Sequence, residues 1–316
     1  MRTLVTGGAG FIGSTLVDRL LAEGHAVDVL DNLGSGKLSN LAQARSDQSN
    51  ELTFHQIDIR DESVVDLIER RQPEVVFHLA AQADVRVSVA DPVLDAMVNV
   101  IGAIRVLEGA RRCGAAKVVF ASSGGTIYGE PDVAALPLPE TAPLRPESPY
   151  GITKRVFTDY LAAYRILYDL EFTSLALGNV YGPRQDPHGE AGVVSIFAGK
   201  LLEGEDCTIF GDGTQTRDFV FVDDVVDAFV RAATRGGGLL FNIGTGEETT
   251  VNALYAAMAK AAGVDRPPVY APPRQGELDR ISLDSSKAAI HLDWQSWTTL
   301  DEGARSVIEW ARSERR

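Results

Sequence analysis

The sequence has few cysteines and no long apolar run. These two absences argue against a disulfide-stabilised secreted protein and against a membrane-spanning helix. Its two cysteines, Cys113 and Cys207, lie far apart and lack the spacing of metal ligands. This usage is typical of a reducing compartment and argues against a disulfide-stabilised secreted fold. No apolar stretch approaches the length of a membrane-spanning helix, and no leader-like segment precedes the first predicted strand. We therefore expect a soluble, cytoplasmic protein.

Positive charge is also scarce. The 316 residues include 30 Lys and Arg against 44 Asp and Glu, which gives a formal net charge of -14. This excess disfavours a nucleic-acid backbone or an anionic membrane surface as partner, because both require concentrated positive charge. A single nucleotide remains compatible with the composition, since a few arginines and backbone amides can hold its phosphates.

Short apolar runs alternate with helical periodicity through the first half of the chain. The predicted strands cover residues 3–5, 25–30, 52–57, 75–79, 117–120 and 172–177, and the predicted helices cover about 12–23, 62–71, 94–113 and 152–168. Five prolines between 137 and 149 predict a connecting segment there. This order is typical of an α/β fold with a doubly wound parallel sheet of the Rossmann type.

Beyond Asn179 the pattern loosens into short elements and turns. A helix is predicted over 222–233, a strand over 239–243 that rejoins the first sheet, and a terminal helix from about 300. The predicted division is a dinucleotide-binding domain over 1–178, rejoined by about 216–243. A smaller interwoven α/β lobe over 179–215 and 244–316 would bind substrate.

Three glycines separate the first predicted strand from the first helix. Gly7 permits a tight turn, Gly10 lets the backbone approach a pyrophosphate, and Gly13 lets the helix pack closely on the sheet. A spaced glycine triplet alone is a weak signal, because an ordinary strand–helix turn can also contain one. Asp31 follows Gly13 by 18 residues, at the end of the second predicted strand, where a carboxylate binds ribose hydroxyls. Because it would repel a 2′-phosphate, Asp31 favours NAD over NADP.

Tyr150 and Lys154 open the helix that follows the proline-rich segment. Residues four apart share a helical face, so the phenol and the ammonium point the same way. A nearby cation lowers the pKa of a phenol, which makes Tyr150 a candidate base for a sugar hydroxyl while NAD takes a hydride. An isolated pair of this kind could equally lie on an exposed helix surface.

Five motifs together resemble the extended short-chain dehydrogenase/reductase family, nearly from end to end. They are Thr-Gly-Gly-Ala-Gly-Phe-Ile-Gly at 6–13, His-Leu-Ala-Ala at 78–81, Ser122-Ser123 with Tyr128-Gly129, the Tyr150/Lys154 pair, and Asn-Val-Tyr-Gly-Pro-Arg at 179–184. Within the family the sequence is most similar to UDP-glucose 4-epimerases. That resemblance implies a tightly held, recycled NAD, a transient 4-keto sugar and a UDP-hexose substrate, with UDP-glucose and UDP-galactose expected first.

The resemblance also implies the residues around the cofactor. The positions expected to contact NAD are Gly7, Gly10, Phe11, Ile12, Gly13, Asp31, Asn32, Asp58, Ile59, Leu79, Ala80, Ala81, Asn99, Ser122, Tyr150 and Lys154.

On the substrate side, the implied contacts are Thr126, Tyr150, Asn179, Arg184, Val193, Val194, Ile209, Phe210, Arg217, Arg274 and Glu277. Asn179 and the two later arginines would hold the diphosphate, where guanidinium groups suit phosphate geometry. Val193 and the pair 209–210 would enclose uracil. Arg184 could meet a C6 carboxylate, which keeps UDP-glucuronate open as an alternative substrate. The medium bulk of Ile281 leaves UDP-GlcNAc open as well.

Two positions depart from the family pattern. Gly124 stands where the family usually has serine or threonine, and Gly178 stands where it has an aromatic residue, so that a wider wall near the nicotinamide is expected. The hydrogen bond missing at Gly124 must then come from another hydroxyl. The predicted catalytic residues are therefore Tyr150, Lys154 and Thr126, with Ser123 second and Ser122 structural. Thr126 could also bond only its own turn.

Other activities fit less well. Dehydratase and decarboxylase relatives place acidic residues at or next to the positions of Gly125 and Thr126, and neither position can supply such a group here. A simple dehydrogenase would need an external redox partner, and a non-catalytic NAD-binding regulator would be expected to lose the tyrosine or the lysine. A homodimer is also expected. Apolar residues on the helices predicted over 94–113 and 152–168, such as Val98, Ile101, Phe157 and Leu161, would pair across a two-fold axis.

Overall fold

The computed structural model describes residues 1–49, 51–187, 192–274 and 278–315. Its strands, in chain order, are β1 (Arg2–Thr6), β2 (Ala26–Asp31), β3 (Leu52–Gln56), β4 (Val75–His78), β5 (Lys117–Ser123), β6 (Glu171–Leu177), β7 (Asn179–Tyr181), β8 (Thr208–Phe210), β9 (Thr216–Arg217), β10 (Phe219–Phe221), β11 (Leu239–Ile243), β12 (Thr249–Thr250) and β13 (Val269–Ala271).

The α-helices are α1 (Phe11–Ala22), α2 (Ala42–Ser46), α3 (Ser63–Arg71), α4 (Val85–Ala90), α5 (Pro92–Ala96), α6 (Ala103–Cys113), α7 (Gly124–Ile127), α8 (Pro149–Tyr168), α9 (Val193–Glu203), α10 (Val222–Ala232), α11 (Val251–Ala262), α12 (Ser286–Leu292) and α13 (Leu300–Ser313). Two 3-10 helices cover Leu38–Leu41 and Val133–Ala135, and a π-helix covers Met97–Gly102.

Seven strands form one parallel sheet in the order β11-β6-β5-β4-β1-β2-β3. Successive residues of a strand face opposite sides of a sheet. Leu4 accordingly packs in a cluster with Leu107 and Phe157, whereas Val5 packs in another with Leu16 and Phe229. Helices therefore cover both faces, which is the doubly wound arrangement. The strand expected at 239–243 does rejoin the sheet, because β11 pairs with β6.

The helix that carries Tyr150 begins three residues earlier than the predicted boundary. The hydroxyl of Ser148 accepts a hydrogen bond from the backbone amide of Gly151, and Pro149 occupies the first turn. Both features favour a helix start, because they satisfy or remove amides that lack a partner within the helix. The predicted helix 94–113 is also interrupted, since the π-helix lies inside it.

The prediction that Phe157 and Leu161 form part of the dimer surface is wrong. Phe157 and Leu161 lie in the core, where the ring centroid of Phe157 is 4.7 Å from that of Phe120. The apolar side chains exposed on the neighbouring helices include Val93, Met97 and Ile101. Among the described residues, no helix is long and apolar enough to cross a membrane.

Candidate active site

A cavity of about 660 Å³ lies at the carboxyl ends of the parallel strands. This is the place where open α/β sheets bind ligands. The predicted cofactor residues that line it are Gly7, Gly10, Phe11, Ile12, Gly13, Asp31, Asn32, Asp58, Ile59, Leu79, Ala80, Ala81, Ser122, Tyr150 and Lys154. Asn99 does not line it, because its amide is directed into a buried network described below.

The glycine turn needs glycine for steric reasons. Gly7 has a φ of +72°, and a Cβ atom there would lie 2.8 Å from the backbone nitrogen of Ala80. A Cβ atom on Gly13 would overlap the carbonyl oxygen of Gly7. The start of α1 can thus pack against the turn and direct its free amides into the cavity, which suits a pyrophosphate.

Two carboxylates shape the far end of the cavity. Asp31 is buried, and its oxygens accept hydrogen bonds from the amides of Ala9 at 2.9 Å and Leu33 at 2.8 Å. Each oxygen retains acceptor capacity for a ribose hydroxyl. The Arg60 guanidinium beside Asp58 holds the pKa of that carboxyl well below its usual range. Asp58 therefore remains a charged acceptor at neutral pH.

Lys154 is buried beneath the phenol of Tyr150. Its Nζ donates to the carbonyl oxygen of Ala121 at 2.9 Å and lies 5.5 Å from the centre of the Tyr150 ring. Because β5 supplies the carbonyl and α8 supplies both side chains, the ammonium is held in one place. A fixed positive charge at this position favours the phenolate form of the tyrosine.

His78 lies behind this pair as a neutral ring. Burial, reinforced by the positive charge of Lys154, lowers the pKa of His78 to about 3. Its Nδ1 is 2.7 Å from the hydroxyl of Thr6, and that hydroxyl also accepts from the amide of Ala80 at 3.2 Å. The Thr6 hydroxyl thus joins the ends of β1 and β4 to the cavity wall.

The hydroxyl side chains between residues 122 and 126 lie in different surroundings. Ser122 lines the cavity, and its Oγ is buried with no hydrogen-bond partner in the described part of the chain. Thr126 Oγ1 is likewise buried without a partner among the described residues. A Cβ atom on Gly124 would point into Leu283, not into open space. Which hydroxyl faces the sugar stays a prediction.

The predicted substrate residues lie partly on the surface and partly in the core. The guanidinium of Arg274 stacks 3.9 Å above the Phe210 ring centre. Arg217 is half-buried and donates to the carbonyl of Thr216 at 2.7 Å, whereas Asn179 is exposed. Val193 is half-buried. The side chains of Val194 and Ile209 are both buried in the hydrophobic core, so only their backbones can face a ligand. Glu277 lies outside the described residues.

Arg184 lines the cavity with a backbone φ of +70°. Its Nη2 forms an ion pair of 2.6 Å with Asp18 on α1. This pair occupies one side of the guanidinium. The expected role toward a sugar carboxylate is therefore left to the remaining Nη1.

Gly178 also has a local reason to be glycine. A Cβ atom there would lie 2.9 Å from the carbonyl oxygen of Asp218. Leu177, next to it, lines the cavity. The carbonyl oxygen of Asp218 also accepts a hydrogen bond from the amide of Asn179 at 2.7 Å. This close approach of the two backbone segments explains why no larger residue stands at position 178.

Asp218 is a residue that the sequence pattern did not single out. Its carboxylate is buried and accepts hydrogen bonds from the amide and hydroxyl of Thr245, both at 2.7 Å. It also accepts from the amides of Gly246 at 3.1 Å and Leu283 at 3.0 Å. Burial raises the pKa of this carboxyl. One side chain thus joins the strand that carries Arg217 to two distant loops.

Two further cavity residues were missed. The ammonium of Lys37 lies 2.7 Å from the carboxylate of Asp186, and both side chains line the cavity. The sequence offered one signal, since Lys37 ends a Gly-Ser-Gly turn shortly after Asp31. No cluster of three or more metal-ligating side chains occurs among the described residues.

Comparisons with known proteins agree with this geometry. Residues 3–244 match the NAD dependent epimerase/dehydratase family. The chain belongs to this family. A UDP-glucose 4-epimerase of Mycolicibacterium smegmatis is 53% identical to it over 315 residues, which span 99% of both chains. The predicted family is therefore confirmed.

Two solved structures superpose over the whole length. One is a UDP-glucose 4-epimerase from Thermotoga maritima with UDP-glucose, at 46% identity, a TM-score of 0.95 and full coverage of both chains. The other is a UDP-glucose 4-epimerase from Thermus thermophilus in complex with NAD, at 44% identity, a TM-score of 0.91 and 99% coverage of both. The predicted Rossmann-type fold is confirmed.

Proposed function

We propose that this chain is an NAD-dependent UDP-glucose 4-epimerase that interconverts UDP-glucose and UDP-galactose. One observation carries the proposal: Tyr150 and Lys154 meet on the wall of a glycine-cradled cavity. The chain is 53% identical, from end to end, to a UDP-glucose 4-epimerase, which supports the same conclusion. Gly7, Gly10 and Gly13 fit a dinucleotide phosphate, and Asp31 fits an unphosphorylated ribose.

Bound NAD supplies the hydride acceptor that makes the 4-keto sugar reachable. The chain supplies the acid–base chemistry. Tyr150, as phenolate, takes the proton from the 4-hydroxyl and later returns it to the same oxygen, so that no proton is lost overall. Lys154, anchored on the Ala121 carbonyl, stabilises the phenolate. Thr126, with its unpartnered hydroxyl, is proposed to bond the 4-oxygen, with Ser123 as the second candidate.

We propose that the UDP moiety lies over the second lobe. The stacked Arg274 and Phe210, together with Arg217 and Asn179, provide two guanidinium groups, an aromatic face and an amide. The guanidinium groups and the amide suit a diphosphate, and the aromatic face suits the uracil base. In this assignment residues 1–178, with 216–243, hold NAD, and residues 179–215 and 244–316 hold the UDP-sugar. Isothermal titration should show tighter binding of UDP than of dTDP, and equal affinities would contradict the uracil assignment.

The reaction itself has a direct test. Purified protein incubated with UDP-galactose should yield UDP-glucose by chromatography, without steady production of NADH. Tyr150→Phe should abolish the conversion, because the base is lost. Parallel incubations with UDP-glucuronate and UDP-GlcNAc separate the alternative substrates. No turnover of any of these UDP-sugars by the wild-type chain with added NAD would overturn the proposal and favour a non-catalytic NAD-binding protein.

We further propose a cytoplasmic homodimer. Both cysteines are free thiols, which is typical of a reducing compartment. Val93, Met97 and Ile101 are exposed at four-residue spacing, and a second copy would remove this apolar stripe from water. A monomer in light scattering at micromolar concentration would contradict the dimer.

A further inference from the structure

A fully buried carboxylate lies beside the catalytic helix without taking part in the chemistry proposed above. Asp95, on α5, has no exposed surface. Its Oδ1 accepts hydrogen bonds from Asn99 Nδ2 at 3.0 Å and Gln82 Nε2 at 3.1 Å, and its Oδ2 accepts from Thr153 Oγ1 at 2.8 Å. These three donors are neutral and come from three separate segments of the chain.

One end of this network holds the wall of the cofactor cavity. Asn99 pairs with the backbone of Gln82 in both directions: its Oδ1 accepts from the amide at 2.9 Å, and its Nδ2 donates to the carbonyl at 2.8 Å. Gln82 lines the cavity next to Ala80 and Ala81. Asn99 itself belongs to the π-helix Met97–Gly102, a type of irregularity that is frequent at functional sites.

The other end holds the catalytic turn. Thr153 stands between Tyr150 and Lys154, and its hydroxyl is 2.8 Å from Asp95 and 3.0 Å from the Tyr150 carbonyl. A hydroxyl has one proton to donate, and the Asp95 oxygen is the nearer of its two acceptors. The turn that carries both catalytic side chains is thus bonded to Asp95, and through Asp95 to the cavity wall.

Burying a carboxylate costs free energy unless every contact is satisfied, and a set of apolar side chains in place of the whole network could fill the same space without that cost. What the carboxylate adds is a fixed geometry among three segments. We propose that Asp95 is a positioning residue that fixes the Tyr150–Lys154 turn against the cavity wall at 80–84. The inference rests on the proposed function, because it takes Tyr150 as the base.

Thr153→Val tests the bond at the side of the catalytic helix. It keeps the shape and removes the hydroxyl, and it should lower kcat about ten- to a hundredfold, the cost of a misplaced catalytic group. KM for UDP-glucose should change by less than about threefold, because substrate contacts remain. Thr153→Ser should restore kcat. The matched control is Thr173→Val, another buried threonine whose hydroxyl bonds carbonyls near residue 235 at the opposite end of the sheet.

A second measurement needs neither NAD nor substrate. In the NAD-free protein, hydrogen exchange of residues 80–84 should accelerate in Thr153→Val and in Asp95→Asn, but not in Thr173→Val, because only the first two break the network. Unchanged exchange at 80–84 in both variants, or unchanged kcat, would overturn the positioning role. A Tyr150→Phe variant that remained active would instead overturn the proposed function, which keeps the two failures distinct.

Discussion

Leu283 occupies the space that a side chain at position 124 would need. A Cβ atom built on Gly124 would approach Cδ1 of Leu283 more closely than real Cβ atoms do. Leu283 cannot easily move away, because it is buried in a cluster with Ile281 and Tyr128 and its amide donates to Asp218. The Leu283 side chain therefore requires a glycine at position 124, and it fills the space where the family usually has a hydroxyl side chain.

Gly124→Ser should destabilise the fold by about 1–3 kcal/mol, the usual cost of overpacking a core. Leu283→Ala alone should cost about 2–5 kcal/mol through the cavity it leaves. In the double variant the serine occupies part of that cavity, so the two losses should not add. Urea unfolding of the four proteins measures the coupling, and simple additivity would show that the two positions do not share space.

Thr126→Val should lower kcat roughly ten- to a thousandfold, which corresponds to a transition-state hydrogen bond of about 1.4–4 kcal/mol. The unpartnered Thr126 hydroxyl motivates the expectation, since a buried hydroxyl without a partner is costly unless a ligand supplies one. Steady-state kinetics of Thr126→Val and Ser123→Ala separate the candidates. Normal turnover in the first with collapse in the second would assign the role to Ser123.

His78 should make the protein less stable in acid. Its pKa is about 3 in the fold against 6.5 for a free side chain, so the unfolded chain binds a proton that the folded chain does not. The stabilisation is present above pH 6.5 and is lost as the pH falls, by up to about 1.4 kcal/mol for each pH unit down to about 3. Chemical denaturation of wild type and His78→Gln at pH 7 and 5 isolates this slope from that of the carboxylates. Equal slopes would contradict a neutral His78.

Lys37→Ala should release NAD modestly faster. The ion pair with Asp186 joins two segments at the cavity, yet the lysine side chain is 58% exposed, so water and salt screen the attraction. An exposed pair contributes about 0.2–1 kcal/mol, which predicts an increase of less than about fivefold in the dissociation rate. Cofactor release followed by dialysis or fluorescence at two salt concentrations measures it. A loss of tight NAD binding altogether would indicate a larger role than the ion pair.

The parts that could be predicted from sequence are those set by local pattern. The positions of Gly7, Gly13 and Asp31 can be recognised in the sequence, because one turn and one neighbouring strand impose their spacing. Tyr150 and Lys154 share a helical face because they are four residues apart, which can be read from the sequence. The order of strands and helices follows from the same short-range periodicities.

What could not be predicted depends on residues that are distant in the chain. Lys37 meets Asp186, and Asp95 meets Thr153, only because the folded sheet brings their segments together. The buried positions of Phe157 and Leu161 were misjudged for a related reason. α8 also exposes apolar residues such as Ile152 and Ile166, so its apolar pattern does not say which side faces the sheet.

The late position of β11 in the chain bears on how the protein is synthesised. A nascent chain that has not yet reached Ile243 leaves β6 as an unpaired sheet edge, which readily pairs with other strands. Translation of the remaining segment therefore completes the sheet, and we expect the growing chain to depend on chaperones until then. Pulse proteolysis of chains truncated before and after β11 should show protection arriving with that strand; equal protection in both would contradict it.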